Sequence, residues 1–157
     1  MQNRKHYIID GNNVIGKDGF LSKIQRTDKL NARKELARMI ADFLQQNKIN
    51  ISLHFDGHPD NSVKMHGVKI NYSYTKEADY FIKKEIDGLK NKNDVIVVTS
   101  DGSVAQYARV SGCQVQKSEV FLQEIKKKEK TDKEEEIIKT LSDNSEFYKL
   151  FNVPHNK

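Results

Sequence analysis

Three short apolar runs, HYIID, ISLHFD and DVIVVTS, each end abruptly at an aspartate or at a turn just before one. Runs this brief, rich in Ile and Val and lacking a polar alternate, read as strands buried on both faces of a parallel sheet. Amphipathic patterns separate them. Leu36, Met39, Ile40, Phe43 and Leu44 recur at helical spacing, as do Ala78, Phe81, Ile82, Ile86 and Leu89. A third short helix is expected from about Ser103 to Ser111, stopped by Gly112 in a left-handed cap. Strands alternating with helices in this way dictate a sheet covered on both faces, because crossovers between parallel strands are right-handed. GVKINYS and GCQVQ are more polar and read as edge strands. The expected fold is therefore α/β, a mainly parallel five-stranded sheet with C-terminal helices.

A chain of 157 residues buries enough surface for one ordinary core. Residues 1–125 carry the α/β pattern, and 126–157 read as a helical extension packed on the same domain. Within that extension Ile137, Ile138 and Leu141 suit one helix. Asp143 or Asn144 offers a cap for another, bearing Phe147, Tyr148, Leu150 and Phe151 and ending before Pro154. The one cysteine, Cys113, excludes a disulfide scaffold. The start MQNRKHYIID has no apolar leader and no run is long enough for a membrane span, so the expected compartment is the cytoplasm, away from membranes.

Net charge is +5, and seven bases between Lys23 and Lys48 face only three acids. This stretch is a candidate phosphate-facing surface, with Arg33, Lys34 and Arg38 at its centre. The plainer alternative is a solvated helix face. From Glu124 to Lys139 six bases and six acids alternate in blocks, as on an exposed, self-paired helix.

Asp10, Asp56 and Asp101 follow the three most apolar strands, and in an open parallel sheet that edge is where ligands bind. Asp79, with Glu77 beside it, falls in the first turn of the helix that begins near Lys76 and starts at the same edge. Singly, each aspartate has a structural explanation as a helix cap or an Asx turn. Together, four carboxylates would repel one another and raise each other's pKa unless a cation neutralised them. Hard oxygen donors without His or Cys suit Mg²⁺ or Mn²⁺, and an acidic pocket framed by bases fits metal-assisted cleavage of a phosphodiester. Gly11 and Gly57 leave room for close approach, and Asn13 could orient a carboxylate or a water. Thr99 and Ser100 could donate to a phosphate or to groups behind the site.

Other chemistries find little support. No glycine-rich phosphate loop is present, and His58, Asp60 and His66 match no zinc spacing. His54 is expected to hydrogen-bond locally within its strand, and Cys113 has no accompanying base. A receiver-like signalling domain would need an adjacent acid pair after the first strand and a Lys ending the last one, and neither is found.

YIIDGNNVIG, HFDG, YTKEADYFIKKEI and VVTSDGSVAQYARVSGCQVQKSEVFLQEI, in this order and spacing, resemble the NYN domain, a branch of the PIN-like nuclease superfamily, and in particular its small bacterial ribonuclease-like members. The resemblance covers residues 5 to about 125. It implies a three-layer α/β/α PIN-like fold with the first strand central, between the second and fourth. It also implies a metal-dependent endoribonuclease using Mg²⁺ or Mn²⁺, with RNA, messenger RNA included, as substrate and the ribosome as a partner. Asp10, Asp79 and Asp101 match the family's acidic positions, Asp56 its FDG block, and Asn13 the Asn after the first Asp. Arg33, Lys34, Arg38 and Lys83 would then hold the RNA backbone. Asn12 stands where relatives usually carry an aromatic residue, and Glu77 where they often have Thr. The segment after about Lys126 follows no family pattern.

Overall fold

The computed structural model describes residues 4–59 and 63–150, without the side chains of 128–132 and 143–150. Five strands run β1 (Lys5–Asp10), β2 (Ile49–Phe55), β3 (Val68–Tyr72), β4 (Val95–Val98) and β5 (Gln114–Gln116). Their order is β3-β2-β1-β4-β5, and every pairing is parallel. β1 is central, between the second and fourth strands, and the two polar strands are the edges. Asp10 pairs in register with His54, so the ends of β1 and β2 lie level.

Six helices clothe this sheet among the described residues: α1 (Gly11–Lys17), α2 (Gly19–Thr27), α3 (Lys29–Gln46), α4 (Ala78–Gly88), α5 (Gly102–Val110) and α6 (Ser118–Leu150). Strand alternation divides the core in two. Tyr7, Ile9, Leu53, Phe55 and Val98 face α1, α3 and the start of α6, whereas Ile8 and Val97 face Ile82, Ile86, Val104 and Ala108 on α4 and α5. Tyr7, Phe43 and Phe121 meet with ring centroids 5.7–6.2 Å apart, tying β1, α3 and α6 together.

The stretch from Lys23 to Lys48 is not one helix face. Asp28 breaks it, its carboxylate capping Asn31 N–H at 3.0 Å and starting α3 anew. Asp18, buried, likewise caps Leu21 N–H at 2.8 Å and takes an ion pair from Lys126 on α6. Neither α1 nor α2 is evident from hydrophobic spacing, because each is too short to repeat its apolar stripe. At the other end the expected division into separate helices gives way to one continuous helix, α6, as no Gly or Pro interrupts residues 118–150. Phe121, Leu122 and Ile125 are buried, while Ile137, Ile138 and Leu141 are exposed. The side chains of Phe147, Tyr148 and Leu150, and all of Phe151, lie outside the described residues.

The two glycines that follow aspartates differ. At Gly11 a Cβ would stand 2.6 Å from the Phe55 ring and 2.7 Å from the His54 carbonyl, so close backbone approach demands it. Gly57 has open space around it but φ +82°, so its requirement is conformational.

His54 reaches well beyond its own strand. Glu85 on α4 accepts from His54 Nε2 at 2.6 Å and from Ser52 Oγ at 2.5 Å, and lies 3.0 Å from His6 Nε2. Burial alone would raise the Glu85 pKa, yet hydrogen bonds from His54, His6 and Ser52 hold it well below the usual carboxylate range. Replacing Glu85 with Ala strands the buried His54 and Ser52, and is expected to lower unfolding free energy by about 2–4 kcal/mol in urea titrations. A loss under about 0.5 kcal/mol, typical of a surface site, would show that the network contributes nothing.

Candidate active site

The ends of β1, β2 and β4 and the start of α4 open onto one edge of the sheet, as parallel topology requires. Asp10 is the last residue of β1, Asp56 follows β2, Asp101 caps α5, and Asp79 sits in the first turn of α4. All four line a single cleft of about 250 Å³ with Glu77, Asn12 and Asn13.

The four are not equivalent. Asp10 is buried, and Thr99 Oγ1 donates to its Oδ2 at 3.1 Å. Burial pushes its pKa up to about 6; the Thr99 bond offsets part of this, and the charges of Asp56 and Asp101 add to it. Asp56 Oδ1 accepts the Ala78 N–H at 2.6 Å, and so caps α4 from a neighbouring strand. Asp101 Oδ1 accepts from Ser103 and Val104 N–H at 2.9 and 3.1 Å, capping α5. Asp79 is half-buried in the same cleft. The acids are gathered rather than closed. Among the described residues no three His, Cys, Asp or Glu side chains come together as a ready metal cluster.

Behind the acids lies a hydrogen-bonded scaffold. Asn13 Oδ1 accepts from Ser100 N–H at 2.9 Å and from Ser118 Oγ at 2.7 Å, joining α1 to the β4–α5 turn and to α6. Asn12 Oδ1 accepts from Asp56 N–H at 2.7 Å. Of the two roles expected for Thr99 and Ser100, the structure shows the bonds to groups behind the site. Thr99 is fully buried, and its hydroxyl also accepts from Asp101 N–H at 3.1 Å. Ser100 Oγ donates to Glu119 at 2.8 Å and accepts from Ser118 N–H at 3.0 Å. That bond to Ser100 is the main reason Glu119 titrates lower than usual.

The bases divide. Arg33 Nη2 donates to the Asp56 carbonyl at 2.6 Å, its guanidinium lies 5.1 Å from the Phe55 centroid, and its buried Nε has no partner among the described residues. Arg33 lines a second cleft, of about 440 Å³, that shares Asn12 and Asp56 with the acidic one. Lys29, Gln25 and His58 also line it, and sequence reading missed them as site residues. The available signal was the single helical turn between Lys29 and Arg33. Lys83 reaches Ser103 Oγ at 3.4 Å. Lys34 is exposed and lines neither cleft. Arg38, exposed, pairs along its own helix with Glu35 at 2.5 Å and Asp42 at 3.4 Å, and lines neither cleft. Of the loop histidines, His58 packs edge-on to Tyr74 at 5.3 Å, and Asp60 lies outside the described residues.

The donor set fits a hard divalent cation. It is all oxygen, and Asp10 is held in a place where its own negative charge is disfavoured. The sign of the consequence is definite. As pH rises, an unfolded chain releases this proton near pH 4 and the folded chain only near pH 6, so native stability falls across that window and stays lower above it. Asp10→Asn is therefore expected to stabilise the metal-free protein at neutral pH, by up to about 3 kcal/mol, and to match the parent near pH 4. Denaturation in EDTA from pH 4 to 8 checks this, and a parallel offset at every pH would contradict it.

Comparison with known proteins places the fold and the family. The sequence matches the YacP-like NYN domain family over residues 7–150. Among solved structures, a mutant form of Rae1 (YacP) from Bacillus subtilis superposes with a TM-score of 0.76 at 23% identity, covering 88% of this chain and 84% of that one. Rae1 (YacP) without that mutation gives 0.74 at 20% identity, covering 96% and 88%. The shared fold is the three-layer PIN-like one. No curated protein matches the sequence. Among the described residues no helix is long and apolar enough to cross a membrane.

Proposed function

Since the chain belongs to the YacP-like NYN domain family, we propose that it is a cytoplasmic, divalent-metal-dependent endoribonuclease that hydrolyses RNA phosphodiester bonds. The observation that supports this is the gathering of Asp10, Asp56, Asp79 and Asp101 in one cleft. In this reading Asp10, Asp79 and Asp101 hold Mg²⁺ or Mn²⁺, with Asp56 assisting. The cation supplies neutralising charge and Lewis-acid polarisation of the phosphoryl oxygens.

The chain's own groups do the rest. Thr99 keeps Asp10 aimed into the cleft and fixes the backbone of Asp101 from the same hydroxyl. Asn13 anchors the turn carrying Asp101 to α1 and α6, which fixes the spacing of the acids. Arg33 and Lys29 on one side, and Lys83 on the other, attract backbone phosphates without reading sequence. A strand would thus be held along the rim while its scissile phosphate enters the acidic cleft.

Purified protein is expected to cut end-labelled single-stranded RNA in Mn²⁺ or Mg²⁺ and not in EDTA. Asp101→Asn should lose about two or more orders of magnitude in rate, as removal of a transition-state contact does. Asn is an equally good N-cap, so α5 and the fold persist. Undiminished cutting by that variant would remove the site assignment.

A second reading has one observation in its favour: Asp56 and Asp101 already cap helices, as they would in a non-catalytic RNA- or ribosome-binding module. It predicts RNA binding indifferent to divalent ions and to Asp101→Asn. Messenger RNA as the substrate and the ribosome as a partner rest on the family resemblance. Co-sedimentation with ribosomes at near-physiological salt is expected, and its absence would remove that partner while leaving the nuclease intact.

A further inference from the structure

The sheet face that carries Asp10 is only partly covered. Alternation along β2 and β3 turns Ser52, His54, Lys69 and Asn71 toward the α4 side, where α4 packs on β1 and β2. The edge strand is left open, and a cavity of about 480 Å³ remains between β3 and α4. The side chains on this side are Phe81, Lys69 and Lys84, with Tyr74 at the end of β3, whereas the Tyr72 ring packs on Phe55 on the other face. Asn71 Nδ2 is buried there with no hydrogen-bond partner among the described residues. An unbonded buried amide is costly, and an acceptor supplied by a ligand would relieve that cost.

We infer that this cavity is a base-binding subsite, receiving an unpaired base of the RNA strand whose backbone passes through the acidic cleft. Aromatic walls with flanking lysines are how single-stranded nucleic acid is held: bases stack on rings and phosphates meet cations. The Asn71 amide donates to a ring nitrogen or carbonyl on the base edge. The two clefts are lined by successive turns at the start of one helix. α4 lines the acidic cleft with Glu77 and Asp79 and the cavity with Phe81 and Lys84, and Asp79 and Glu85 stand about 9 Å apart along the helix axis.

Tyr74 lines the cavity and is bonded to the loop that follows Asp56. It is the only non-glycine residue with positive φ among the described residues, at 58°, and the residue is 56% exposed. Its N–H bonds the Gly57 carbonyl at 2.8 Å, one residue beyond Asp56, and Ser73 N–H bonds the Phe55 carbonyl at 3.0 Å. Tyr74 is thus held in a backbone conformation that suits glycine, with one edge of its ring against His58 and the rest open to a ligand. The inference rests on the reading of RNA as this chain's ligand.

The test is binding of a short labelled single-stranded RNA in EDTA, together with the same strand carrying one abasic residue moved along it. Tyr74→Gly removes the ring and suits the backbone, so the variant folds. It is expected to weaken binding about tenfold, the usual loss for one stacked base. The abasic residue should cost the parent a similar factor at one position, and the two losses should not add. Asn71→Leu should lower RNA affinity while leaving thermal stability unchanged or higher, because it deletes an unpartnered donor. Parent-like binding by both variants, or additive losses with the abasic strand, would overturn the subsite. Cleavage of RNA by the parent alongside that result would leave the nuclease reading standing. The expected coupling in a protein that never cuts RNA would leave the subsite and remove the nuclease. A parent that binds no RNA overturns the subsite.

Discussion

A carboxylate buried at the end of the central strand is the constraint around which this molecule is arranged. Asp10 is almost without solvent, has one side-chain hydroxyl bonded to it, and faces two other aspartates across the cleft. Its ionisation near neutrality therefore opposes folding unless a cation joins it. A chain selected for stability alone would place an uncharged residue there. Free energy is instead stored at the point where parallel topology opens the sheet, and a divalent ion would recover it.

The remaining acids are held more cheaply. Asp56 and Asp101 each commit Oδ1 to a helix N-terminus, so they support α4 and α5 whatever else they do. Capping and ligation are compatible, because a carboxylate carries two oxygens and about four lone-pair positions. The caps direct these oxygens to backbone N–H groups, and among the described residues the acids form no closed cluster. Around them Asn12, Asn13, Thr99 and Ser100 link β1, α1, the β4–α5 turn and α6, and α6 is secured again by Phe121 in the core and by the Lys126–Asp18 ion pair. The start of α6 thus belongs to the site's foundation.

On the opposite flank of α4, the Glu85 network of His6, His54 and Ser52 fixes the helix that presents Asp79. One helix is held at three levels: by the Asp56 cap at its start, by Ile82 and Ile86 in the core, and by Glu85 on the inner strands β1 and β2. This anchoring gives the first turn a stable direction, which a site made from four separate segments requires.

The strands, their parallel arrangement and the edge positions of β3 and β5 were legible in the order of apolar runs, because burial on both faces leaves a continuous hydrophobic signature. So was the placing of aspartates at strand ends. Not legible were α1 and α2, which are too short for a periodic stripe, and the continuity of α6, where polar residues resembling caps proved tolerable inside a helix. The division of labour among the polar residues was also hidden. Composition could not say that Thr99 and Ser100 turn inward, that Arg38 is paired along its own helix while Arg33 reaches Asp56, or that His54 bonds a helix residue far along the chain. Local propensity and burial are properties of neighbouring residues, and the sequence by itself determined those. Which donor meets which acceptor depends on segments brought together only when the sheet closes, and that the tertiary structure alone decided.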